Sequence, residues 1–209
     1  MGTPHSPTLV LATTNRGKAA EFRALLPDAI PVTTLADLGL AAPEEIGTTF
    51  EENARAKALA AALGSGSFAL ADDSGLEVDA LGGAPGVRSA RFGGEPAEDA
   101  RNRRALLSAL SGVPPERRAA RFVCALALAS PHRILAVSEG VCEGRVAELA
   151  GGGHGFGYDP IFQLPDGRRM AELRPEEKNR LSHRAVAVRR LLPLLIDLWS
   201  VQVGSDGPG

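Results

Sequence analysis

The chain is short of several residue types, and each shortage removes a class of explanation. There are only two cysteines, Cys124 and Cys142, both inside apolar runs of strand character. That is too few for a disulfide framework or a cysteine-based metal knuckle, and it fits buried reduced thiols in a cytoplasmic protein. Charge of one sign is also scarce in excess: the net charge is −2 and the pI is near 6.1. A basic footprint for a nucleic-acid backbone or an anionic membrane is therefore lacking, so neither is expected as a partner. The apolar run near the N-terminus is too short for a membrane span, and no basic segment precedes it as in a signal peptide. Lysine is rarer still, with Lys18, Lys57 and Lys178 the only three among 23 basic residues. In a chain that otherwise uses arginine, a compact ammonium suits a phosphate oxygen in a tight pocket, with chance placement of three residues the competing explanation.

What is present is enough for one full core. With 209 residues, 44% of them hydrophobic, a single domain over residues 1–200 is expected, followed by a disordered tail at 201–209. The stretch that organises the rest is Ala69 to Phe92. Phe68, Leu70 and the intervening alanines read as a short buried strand. A buried strand does not hide two charges, so Asp72 and Asp73 are placed at its end, before a Ser74-Gly75 turn. Alternation sends the two carboxylates opposite ways, one toward a divalent cation and the other toward the turn amides. A strand-ending turn rich in aspartate is the plainer reading of the same residues.

Other segments bear on that choice. Thr8 to Ala12 reads as a strand, followed by the loop Thr13-Thr14-Asn15-Arg16-Gly17-Lys18 and a helix. The helix start offers amides and a positive dipole end to an anion, or is an ordinary turn between strand and helix. A second strand is expected over Ile30 to Leu35. Thr48 and Thr49, each three residues before Glu51 or Glu52, predict the start of a helix that Gly64 ends, with Asn53 and Lys57 side by side on it. Lys57 is either solvated or a ligand residue, and Glu44 in the preceding loop either a loop acid or part of a site. Ala97 to Leu110 reads as a surface helix. Ala119 to Ser130 alternates, with Phe122, Cys124, Leu126 and Leu128 on one face, and turns at Pro131-His132 into a partner strand from Ile134 to about Val141. The loop from Gly151 to Pro160 carries Phe156 and Tyr158 among glycines, suited to stacking on a base or to packing over the core. Lys178, His183 and Arg184 cluster around the start of a last helix that runs to about Trp199, an end where the dipole disfavours cations, which points to an anionic or acceptor-rich ligand.

Taken in this order, Thr13 to Lys18, Asp72 to Gly75, Gly82 to Gly86, Phe156 to Asp159 and Ser182 to Arg184 resemble the inosine triphosphate pyrophosphatase family. The likeness runs from about Leu9 to Leu195, and its most specific pieces are ADDSGLEVDALGGAPGVRSARF, GFGYDPIF and EEKNRLSHR. Thr14 stands where the family commonly has glycine, and Ala150 where it commonly has proline. The resemblance implies an α/β fold of two lobes around a long mixed β-sheet with an active-site cleft, a homodimer, and Mg²⁺-dependent hydrolysis of ITP, dITP and XTP to the monophosphate and pyrophosphate. It further implies Asp73 as catalytic acid-base and metal ligand and Glu44 as second metal ligand. Thr13, Thr14, Asn15, Arg16, Gly17, Lys18, Lys57 and Ser74 would hold the triphosphate. Phe156, Gly157, Tyr158 and Asp159 would hold the base, with Lys178, His183 and Arg184 completing the nucleotide site. Two other classes remain to be weighed. A phosphatase working through an aspartyl phosphate uses aspartates two apart on a strand face, whereas these are adjacent. A nucleotide sensor without turnover would not need both Asp73 and Glu44.

Overall fold

The computed structural model describes residues 8–204, of which 201–204 as backbone only. Its elements are β1 (Leu9–Leu11), α1 (Arg16–Leu25), β2 (Val32–Thr34), α2 (Phe50–Ser65), β3 (Ala69–Val78), α3 (Asp99–Ala109), β4 (Ala119–Ser130), β5 (Arg133–Val146), β6 (Phe162–Gln163), α4 (Pro175–Leu181) and α5 (His183–Gly204). The strands form one mixed sheet in the order β2-β1-β3-β4-β5-β6. β1 runs parallel to both β2 and β3, and β6 antiparallel to β5. β4 and β5 are neighbours joined through Pro131 and His132 alone, a connection short enough only for an antiparallel pair. Among the described residues, no helix is long and apolar enough to cross a membrane.

The chain divides into two compact units. The first takes in the residues up to Asp73, Ala125–Glu139 and those from Ala187 onward; the second is Ser74–Cys124 with Gly140–Val186. In the first unit β1 is wholly buried, consistent with an apolar strand hydrogen-bonded on both sides. α2 forms because its sequence is alanine-rich and well capped: Thr49 Oγ1 accepts from the Glu52 amide, and Glu52 returns a carboxylate oxygen to the Thr49 amide. Of the two capping registers the sequence offered, the structure uses the second, and the helix stops at Gly66 rather than Gly64, with a left-handed φ of 68°. Phe50, Ala54, Ala58 and Ala61 face inward, and Trp199 of α5 packs on Phe68 with ring centroids 5.7 Å apart. α5 continues to Gly204, past Val201; residues 205–209 lie outside the described residues.

The core of the second unit gathers Leu76 and Val78 of β3, Leu106 and Leu110, Phe122 of β4, and Ile161, Phe162 and Met170. β4 shows the predicted alternation of large and small side chains, but both faces are covered: every residue from Phe122 to Ala129 is buried. Cys124 and Cys142 are buried thiols. Burial, helped by the charge of Glu143, pushes Cys142 up to about 11, so it is protonated near neutral pH.

β3 departs most from the sequence reading. It does not end at the aspartates; it runs ten residues, through Asp72, Asp73, Ser74 and Gly75 to Val78, and both carboxylates are buried, at 2% and 5% exposure. The expectation of a strand end and a Ser74-Gly75 turn is corrected accordingly. The physical reason is charge compensation: Lys18 Nζ lies 3.0 Å from Asp72 Oδ2, and Lys57 Nζ lies 3.4 Å from Asp73 Oδ1. Each carboxylate meets a different lysine from a different helix.

Candidate functional site

Each unit carries a constellation of buried polar side chains, and the two are consecutive in sequence at Asp73 and Ser74. In the first unit, the loop after β1 is built by its own side chains. Thr13 Oγ1 accepts from the Asn15 amide at 3.1 Å, and Asn15 Oδ1 accepts from the Lys18 amide at 3.0 Å, making Asn15 the N-cap of α1. Thr14, Asn15 and Arg16 are exposed, while Thr13, Gly17 and Lys18 are half-buried. Among the described residues only glycines adopt positive φ, so Thr14 sits in its loop without left-handed backbone strain.

Lys18, held in the first turn of α1, reaches the 1%-exposed side chain of Asp72. Removing one member of a buried ion pair costs about 3–5 kcal/mol, because the remaining charge stays desolvated. Lys18→Met is therefore expected to lower stability by about 3 kcal/mol, the lower end because the charges of Asp72 and Lys57 also interact. Pairing it with Asp72→Asn should recover most of that loss. Urea unfolding of both variants checks this, and equal losses in the single and the double variant would show that the pair is not what holds Asp72.

Asp73 has two partners, and one of them is shared with Glu45. Its Oδ2 accepts from Asn53 Nδ2 at 2.8 Å, its Oδ1 faces Lys57, and Lys57 Nζ also donates to Glu45 Oε1 at 2.6 Å. Asn53 Oδ1 accepts from the Gly47 amide at 2.7 Å, tying the loop that carries Glu45 to the same helix face as Lys57. Burial raises the Asp73 pKa above the ordinary carboxylate value; Lys57 opposes the rise and Glu45 adds to it. Burial alone would depress Lys57, but Asp73, Asp72 and Glu45 outweigh it and hold the ammonium above its ordinary value. The result is a protonated lysine between two carboxylates, one of them tuned toward proton acceptance.

Glu44, the acid singled out from the sequence, is exposed; its neighbour Glu45 is the half-buried one on Lys57. Nothing in the pair Glu44-Glu45 distinguishes them locally. What distinguishes Glu45 is its bond from Lys57, which depends on the fold. Asn53, already noted as the neighbour of Lys57, gains a role as its partner in holding Asp73.

The second constellation lies around the glycine-rich loop. Asp159 is buried at 3%; its Oδ2 accepts from the Phe156 amide at 2.9 Å and from Lys178 Nζ at 2.6 Å. Gly155, at φ +76°, passes so close to this carboxylate that any Cβ would collide with Asp159 Oδ2. Lys178 Nζ stands 4.7 Å from the centroid of the Phe156 ring, and the Arg184 guanidinium carbon 5.9 Å from it. Arg184 is 1% exposed and donates from Nη2 to Ser74 Oγ at 3.1 Å. His183 stacks on Phe122, with centroids 4.9 Å apart and planes at 16°. The two aromatics of the loop part company here. Tyr158 is buried in the core and donates its hydroxyl to the Ser89 carbonyl at 2.8 Å, whereas Phe156 remains half-buried beneath the two cations.

Among the described residues no three His, Cys, Asp or Glu side chains are grouped closely enough to hold a metal. Mg²⁺ commonly takes only one or two carboxylates and draws its other ligands from water and substrate phosphates. The hard oxygens of Asp73 and Glu45, both within reach of Lys57, fit that mode and do not fit zinc.

A model of the Ham1 family matches residues 9–194. The dITP/XTP pyrophosphatase of Geobacillus kaustophilus is 52% identical, over 95% of this chain and 97% of its own, and that of Leifsonia xyli is 51% identical, over 90% and 94%. The solved HAM1 protein of Coxiella burnetii superposes with a TM-score of 0.82 at 42% identity, covering 91% of this chain and 99% of its own, and the Staphylococcus aureus Ham1 protein with 0.80 at 40%, covering 91% and 98%. Sequence likeness that begins at β1 and extends into α5, on a fold that solved relatives share, places the chain in the Ham1 family.

Proposed function

We propose that the protein hydrolyses deaminated purine nucleoside triphosphates, ITP, dITP and XTP, to the monophosphate and pyrophosphate, and so clears them from the nucleotide pool. The observation that carries this reading is the arrangement of Asp73 between Asn53 and Lys57, with Glu45 on the same lysine, in a chain half identical to proteins named dITP/XTP pyrophosphatases.

The residues of the first unit are assigned to the triphosphate. The amides at the start of α1, with Thr13 through Lys18, face anionic oxygens, and the ammonium groups of Lys18 and Lys57 offset charge that grows on the leaving pyrophosphate. Asp73, its pKa raised by burial, accepts the proton of the attacking water. The water oxygen bonds to the α-phosphorus as the bridging oxygen to the β-phosphorus departs with its electron pair, and no phosphoenzyme forms. Mg²⁺ would be held by Asp73 and by Glu45, in place of Glu44, and when bound supplies Lewis-acid neutralisation of phosphate charge. The residues of the second unit are assigned to the purine: Phe156 to its face, Arg184 and His183 to its 6-position, with Lys178, Asp159, Gly157 and Ser74 fixing them. Tyr158 acts by holding the loop. A homodimer is part of the same reading and is checked by light scattering.

Incubation with ITP and Mg²⁺ is expected to release IMP and pyrophosphate, and chelation of the metal to stop it. IDP and orthophosphate as products would refute attack at the α-phosphorus. Tight ITP binding without any release would favour a sensor.

A further inference from the structure

We propose that Asp99 and Arg103 of α3 are positioning residues for the purine, acting through the peptide of Gly157; the proposal rests on the nucleotide reading above. The Gly157 amide donates to Asp99 Oδ2 at 2.7 Å, and the Gly157 carbonyl accepts from Arg103 Nη1 at 2.7 Å. Both polar groups of one glycine residue are thus taken by side chains four apart on a single helix face. Both bonds are charge-assisted, and Asp99 gains further from standing in the first turn of α3, where the helix dipole favours a carboxylate.

The clamp meets a specific need. The loop that presents Phe156 contains glycine at 151, 152, 153, 155 and 157, and Gly157 itself turns through φ +59°. A segment so rich in glycine has the most conformational freedom to lose, and a ligand that had to order it would forfeit affinity. With Gly157 pinned by α3 and the Phe156 amide pinned by Asp159, the ring beneath Lys178 retains only its side-chain torsions. α3 does not need these bonds for its own placement. Asn102 already anchors it, accepting from the Gly93 amide at 2.7 Å and donating to the Ala90 carbonyl at 2.8 Å, and Leu106 is fully buried.

The test compares Asp99→Ala, Asp99→Asn, Arg103→Ala and Phe156→Ala in the full chain. Asp99→Ala and Arg103→Ala should each raise KM for ITP about tenfold with kcat within about twofold, and Asp99→Asn, which keeps an acceptor oxygen, should recover most of the loss. Hydrogen exchange over residues 151–160 should quicken in Asp99→Ala while that of α3 stays put. In the Phe156→Ala background the effect of Asp99→Ala on KM should vanish. Unchanged exchange in the loop overturns the clamp, as does a fall in kcat at constant KM. A loosened loop with KM unmoved overturns its link to the purine. Failure of the parent protein to release pyrophosphate from ITP would instead overturn the functional reading, and the exchange experiment would still decide the clamp.

Discussion

Replacing Asp73 with asparagine is expected to lower ITP turnover by a factor on the order of 10² to 10⁴, the range lost when a positioned general base is removed, while the fold survives. The two halves of that expectation come from different bonds. The amide keeps the shape of the carboxylate but can neither take the proton of the attacking water nor lend a negative oxygen to a cation. Stability is affected less, because two effects oppose. Lys57 loses one of its buried carboxylate neighbours, yet Glu45 remains 2.6 Å away. Burial, which raises the Asp73 pKa, also means that the ionised form is costly to keep inside, and a neutral amide avoids that cost. A net change of about 1–2 kcal/mol, the scale of one altered buried hydrogen bond, is expected. Pyrophosphate release and urea unfolding measured on the same preparation separate the two. Turnover at the parental rate would reduce Asp73 to a structural residue and remove the base from the mechanism.

How Asp72 and Asp73 are housed explains much of what the sequence could and could not convey. The apolar run before them is a local signal, and it correctly marked the start of β3. Whether a strand continues through two acids depends on what lies across from them, and here that is Lys18 and Lys57, far away in the chain. Burying an unpaired carboxylate is prohibitive, so a reading confined to neighbours had to end the strand. The same limit governs Glu44 and Glu45, which are told apart by which of them meets Lys57, twelve residues further along the chain. It also governs Phe156 and Tyr158: both are aromatics beside glycines, and Tyr158 is committed to the core by apolar residues and a Ser89 carbonyl distant in sequence. Asp99 and Arg103 gave no signal of any kind, since α3 reads as a surface helix and its contacts to Gly157 are 58 and 54 residues away in sequence. By contrast, the caps of α2, the alternation in β4 and the strand-loop-helix run from β1 to α1 rest on short-range chemistry, and these were legible to within a few residues.

Arg184→Ala is expected to narrow the preference for ITP over ATP, because arginine can only donate hydrogen bonds. The 6-keto oxygen of hypoxanthine or xanthine accepts from a guanidinium; the 6-amino group of adenine does not, and would leave donors opposed beside a buried arginine. Sites that bind a substrate through such a bond reject the mismatched analogue by roughly 10⁴-fold. The surroundings of Arg184 suit this task. Its side chain is 1% exposed, one end is fixed by the hydroxyl of Ser74, and its guanidinium carbon lies 5.9 Å from the centroid of the Phe156 ring, the face assigned to the purine. Loss of a hydrogen bond from a charged donor costs about 1.5–3 kcal/mol, so kcat/KM for ITP should fall by about 10- to 100-fold, with the value for ATP little changed or raised. Truncating a buried arginine also loosens packing, and that loss would weaken both substrates alike; the ratio between them therefore isolates the reading of the base. If ITP and ATP fall by the same factor, Arg184 serves the fold or the phosphates, and discrimination at the 6-position belongs to another residue, with His183, stacked on Phe122, the next to replace.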